Sequence, residues 1–122
     1  MALNCDICSE EIEKLELGLF SWKEEDGKIS NFLIHHKHSC DVQENNSWIP
    51  LYLLTNPKVL CNSLMGFLRL WKEGKELKQY KKLEKAYTRL FPYVLREMDE
   101  KEQRDWIGYT SRVLPLKFPG EE

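Results

Sequence analysis

Hydrophobic positions along the chain change their period near residue 50. Before it they come in short dense runs. Leu17, Leu19, Phe20 and Trp22 form one run, and Ile29, Phe32, Leu33 and Ile34 form a second, with "EEDGK" between them. Asp26-Gly27 in that connector is a strong hairpin signal, since both residues tolerate the positive φ that a tight primed turn demands. Two antiparallel strands are therefore predicted. Each run is apolar on both faces, so alternation leaves the register and the inward face open.

Beyond the polar stretch "DVQENNS" at 41–47, which reads as a linker, "WIPLYLL" is apolar throughout and is expected to pack the first segment onto the second. The period then becomes helical. Asn56 suits an N-cap and Pro57 the first helical position. Leu60, Leu64, Phe67, Leu68 and Trp71 follow at helical spacing to about Lys72, with Gly74 as the stop. A second helix is predicted over 75–91, with Tyr80, Leu83, Tyr87, Leu90 and then Val94 as its apolar stripe. Pro92 should kink the chain or begin a new helix. A third helix follows "DEKE", where Asp99 and Glu102 suit a capping box, and its apolar residues are Trp106, Ile107, Tyr109, Val113 and Leu114. The closing "LPLKFPGEE" reads as extended.

The second strand runs into "FLIHHKHSC", which holds all three histidines and one of four cysteines. Two more cysteines stand in "CDIC" near the start. The full spacing is Cys5-x2-Cys8-x27-His36-x3-Cys40. A short knuckle, a hairpin and a second ligand pair at its far end suit zinc, which takes four thiolate or imidazole donors in a tetrahedron. A piece this small buries little core, and the metal can supply the missing folding free energy. On Cys5, Cys8, His36 and Cys40 the region resembles the treble-clef or zinc-ribbon class of zinc fingers. That resemblance covers about a third of the chain and implies one structural zinc ion and a metal-held scaffold. His36 shares a strand face with Phe32 and Ile34 and stands three residues from Cys40; His38 and His35 are the alternatives for the fourth ligand. The pattern lacks the marks of a zinc deaminase, of a thioredoxin-like redox pair and of a histidine-containing nuclease finger. Cys61 reads as a buried, inert thiol.

Net charge is −2, unevenly spread. Residues 1–50 carry four lysines against ten acids, a balance of −6, and residues 51–122 carry fourteen bases against ten acids, a balance of +4. Lys75, Lys78, Lys82, Lys85 and Arg89 recur at helical spacing opposite the apolar stripe. They are a candidate surface for a partner or for nucleic acid, set against the plainer reading of a solvated face. The low pI of about 6.0 argues against nucleic acid. No apolar run approaches the ~20 residues of a membrane span, and no basic-then-apolar leader opens the chain. A reducing cytoplasmic setting is expected. The fold class expected is α+β: a zinc-bound β-hairpin module over 1–42 packed against a helical region of about three helices over 48–119, in one compact domain. The function expected is a non-enzymatic module acting through a protein partner. The alternatives are a nucleic-acid-binding regulator and, less in keeping with the pattern, a metal-dependent hydrolase or nuclease.

Overall fold

A computed structural model describes residues 3–74, 76–77, 80–96 and 98–113. The chain is a mixed α+β fold. Three antiparallel strands, β1 (Gly18–Glu25), β2 (Lys28–His36) and β3 (Ser47–Pro50), form a sheet with β1 in the middle. A two-residue strand, β4 (Glu76–Leu77), adds to the far edge of β2 in parallel. One helical turn, α1 (Leu51–Leu54), precedes three longer helices, α2 (Pro57–Lys72), α3 (Tyr80–Leu95) and α4 (Glu100–Val113).

The hairpin forms where the Asp-Gly signal places it. Asp26 and Gly27 both take positive φ, 53° and 75°, and Glu25 pairs with Lys28. Register is set by a bulge. Ser21 faces Leu33, but Lys23 faces Ser30, so Asn31 and Phe32 together oppose Trp22. Asn31 takes a left-handed φ of 58°, which asparagine tolerates better than most residues. The extra residue switches parity along β2. Ile29 before the bulge and Phe32 and Ile34 after it are thus all buried.

That buried face meets the helices. Phe67 of α2 stands edge-on to Trp22, Phe32 and Phe20, with ring centroids 5.0, 5.5 and 6.4 Å apart. Tyr87 of α3 lies 5.9 Å from Phe20, and its hydroxyl is 2.7 Å from Ser63 Oγ on α2. Leu83, Leu90 and Val94 complete the buried stripe of α3. Because that stripe continues past Pro92, the helix runs through the proline to Leu95 rather than ending there. Burial on both sides outweighs one missing N–H.

Helix ends follow their local chemistry. Asn56 Oδ1 accepts from the N–H groups of Lys58 and Val59 ahead of Pro57, and Gly74 leaves α2 at φ 100°. Asp99 and Glu102 form a reciprocal capping box at α4, each side chain accepting from the other's backbone N–H. Trp106 buries itself against Phe91, 6.0 Å away. One boundary is corrected. The second long helix begins at Tyr80, not at 75, because Glu76 N–H donates to the Gly27 carbonyl and residues 76–77 join the sheet. The side chains of Ile107, Tyr109 and Val113, residue Leu114 and the closing segment lie outside the described residues.

Since β2 and β3 flank β1, the connection between them must cross β1. Residues 37–46 make that crossing on the face opposite the helices, over Leu19, Ser21 and His35. The stretch read as a linker is thereby built into the fold. Asn45 donates to the carbonyl of Asn31 and its Oδ1 accepts from Asn31 Nδ2, which clasps the bulge. Asn46 bonds both the N–H and the carbonyl of Glu24, as a neighbouring strand would.

Candidate metal centre

The amino-terminal knuckle is a small closed loop. Asn4 and Glu11 pair as an isolated antiparallel bridge, Cys5 N–H donates to the Glu10 carbonyl, and Ser9 N–H donates back to the Cys5 carbonyl. Ser9 turns the chain with a positive φ of 67°. Inside the loop the N–H groups of Ile7 and Cys8 lie 3.3 and 3.5 Å from Cys5 Sγ. Amides aimed at a sulfur stabilise its thiolate. Burial acts first to raise the Cys5 thiol, but the amides of Cys8, His36 and Ile7, with the His36 ring, outweigh it and bring the thiol down to about 6.

The knuckle docks on the end of the hairpin through Asp6. Its N–H donates to the Ile34 carbonyl at 2.7 Å and its Oδ2 accepts from the Ile34 N–H at 2.7 Å. Its Oδ1 accepts from Arg89 Nη1 at 2.9 Å, and the Arg89 guanidinium also donates to the Asn4 carbonyl. Knuckle, strand and α3 therefore meet at one carboxylate.

This docking brings Cys5, Cys8, His36 and Cys40 together, their donor atoms all within 4.8 Å of one another. His36 Nδ1 lies 3.4 Å from Cys8 Sγ and 3.8 Å from Cys40 Sγ. A tetrahedral ion with bonds of ~2.0–2.3 Å would hold its donors roughly 3.5–3.8 Å apart. The other ring nitrogen, His36 Nε2, is 3.1 Å from the Glu11 carbonyl. A carbonyl only accepts, so the proton sits on Nε2 and the Nδ1 lone pair faces the sulfurs, as a metal-binding histidine requires. The Cys5 sulfur beside it raises the His36 pKa, helped by Glu11. Burial pushes the Cys40 thiol up, and the neighbouring Cys5 and Cys8 sulfurs add to this. These four residues could hold a metal ion, and the donor set is compatible with zinc.

The other two histidines are placed elsewhere. His35 is buried on the opposite face of β2. Its Nδ1–H donates to the His36 carbonyl at 2.9 Å, and its Nε2 accepts from Ser21 Oγ at 2.7 Å. Asn45 Nδ2 donates in turn to Ser21 Oγ at 2.7 Å. Residue pattern alone missed this Ser21–His35 pair, because β pairing across 14 residues brings it together. It has the spacing of a nucleophile and base, but Asn45 occupies the serine oxygen, and the network is closed. His38 is exposed in the crossover loop, with φ 69° and its N–H on Asp41 Oδ1.

Three members of the basic stripe, Lys82, Lys85 and Arg89, lie on α3. Lys75 and Lys78 lie outside the described residues, and the helix starts after them. Lys82 and Lys85 are exposed on α3, whereas Arg89 is half-buried and committed to Asp6. Cys61, half-buried on α2, lies apart from the donor cluster, and burial raises its thiol. No helix among the described residues is long and apolar enough to cross a membrane. Compared with models of known families, with curated proteins and with solved structures, the chain matches none.

Proposed function

We propose that the chain is a non-enzymatic interaction module, held together by one structural zinc ion and acting through a protein partner. The observation that carries this reading is the closed donor set: three sulfurs and one imidazole nitrogen within 4.8 Å. Soft donors of this kind select zinc over hard cations, and four of them fill a tetrahedron, leaving no position for an activated water. The ion would tie the knuckle to the hairpin and to the crossover loop, which is the work of a scaffold.

Lys82 and Lys85, exposed on α3, stand beside the knuckle residue Asp6. The shallow cleft beside them also contains the Asp6 carboxylate. Arg89 and the Ile34 N–H already engage that carboxylate, so the choice of partner rests on the chain as a whole, which is net acidic with a pI of about 6.0. This favours a protein partner over nucleic acid.

Cobalt substitution tests the metal part. Cobalt(II) in a closed three-sulfur, one-nitrogen site should give an intense tetrahedral visible spectrum that added azide leaves unchanged; a spectrum that azide alters would mean an open position and a catalytic site. The partner part is tested by the double variant Lys82→Glu/Lys85→Glu, which should keep its zinc and its fold and lose the partner. Binding of labelled nucleic acid that falls steeply with salt and disappears in the same variant would replace the protein partner with a phosphate backbone.

A further inference from the structure

We infer that the cavity between the outer face of the sheet and the crossover loop is a binding site for a small planar aromatic carboxylate. The cavity encloses about 450 Å³, in the range of small-molecule sites. Leu19 and Pro50 from the sheet and Val42 from the loop give it apolar sides. Trp48 stands at its edge, 60 % exposed, on the sheet face that the helices do not cover. An indole so placed offers a flat wall on which a ring can stack.

The floor is polar but closed. Ser21 Oγ is shared between His35 Nε2 and Asn45 Nδ2, and His35 Nδ1–H is held by a backbone carbonyl. Polar recognition therefore falls to the loop, where Lys37 and His38 line the cavity and are exposed. His38 turns the loop with a φ of 69°. Asp41, the acid in the lining, accepts from the His38 N–H that fixes this turn. Lys37 is the cation of the lining with which an anionic group can pair. A flat apolar body with one anionic group fits the stacking wall, the apolar sides and that cation together. A folded partner is too large to enter. The site shares no side chain with the metal donors or with the lysine surface of α3.

The test is NMR titration of the purified chain with 2-naphthoate and with its neutral analogue 2-naphthamide. Saturable shifts are expected at the Trp48 indole N–H and at Leu19, Val42 and Asn45, with the carboxylate binding about tenfold more tightly than the amide. Trp48→Ala should weaken naphthoate about tenfold, and Lys37→Gln should remove the preference for the carboxylate. Both residues are exposed, and an unchanged amide spectrum establishes that each variant folds. Shifts that never saturate, or naphthoate affinity unchanged in Trp48→Ala, would overturn the site. Equal affinity for amide and carboxylate would overturn the anionic ligand.

Discussion

His36 faces the sulfurs through Nδ1 because its Nε2–H is already given to the Glu11 carbonyl. His38, two residues on, turns away with a left-handed backbone, and His35 is locked beneath the crossover loop. The three side chains should therefore answer differently to removal. His36→Ala should lower metal affinity at least ~100-fold, while His38→Ala retains one ion per chain, as elemental analysis and chelator competition will show. Ser21→Ala should leave metal content intact. It deprives buried His35 Nε2 and Asn45 Nδ2 of their shared oxygen, so the loss in urea unfolding should be about 1–3 kcal/mol.

Elements meet at points that a single atom decides. Gly18 opens β1 directly beneath α1, and a β-carbon there would collide with the Leu51 side chain and press on Ile12. Gly18→Ala should lower stability by about 1–3 kcal/mol through overpacking, measured by thermal or denaturant melting. In the Leu51→Ala background, itself destabilised by the lost core side chain, the further loss from Gly18→Ala should shrink. Arg89 acts at a second such point. Its bonds to Asp6 and the Asn4 carbonyl fasten α3 to the amino-terminal knuckle, which is why one member of the basic series serves structure and Lys82 and Lys85 do not. The same reasoning separates α3 from its proline. Leu90 and Val94 are buried on either side of Pro92, so the helix continues.

Across the molecule, the donor cluster joins three otherwise separate stretches: the knuckle, the end of β2 and the crossover loop through Cys40. Removing the ion should loosen the knuckle and the roof over the sheet, while the aromatic core between the sheet and α2 persists. Chelation is expected to abolish amide protection over residues 3–17 and 37–46 before that of β1 or α3, read by hydrogen exchange. Acid should act in the same direction. Cys5 titrates at about 6, below its ordinary 9.0, so in the metal-free chain its thiolate adds stability above the ordinary value that is lost as pH falls through 6. Metal needs that same deprotonated sulfur. Zinc retention against a fixed chelator should thus decline with falling pH; a flat profile would mean that carboxylates, not thiolates, hold the ion.

Local chemistry determined much of this protein from sequence alone. The Asp26-Gly27 turn, the Asn56 and Asp99 caps, the Gly74 stop and the spacing of Cys5, Cys8, His36 and Cys40 are all short-range signals, set by the φ a residue tolerates or by the donors a metal takes. Tertiary pairing decided the rest. The bulge at Asn31 depends on what lies across the sheet, so it fixed the register that apolar runs had left open. The third strand at Ser47–Pro50 and the two-residue strand at Glu76–Leu77 are too short to carry a period of their own and form only because an edge is there to receive them. Which histidine serves the site, which lies buried beside Ser21 and which stays in the loop was settled by the crossing of residues 37–46 over β1. That path follows from strand order, which no local pattern encodes, because the contacts that select it join residues far apart in the chain.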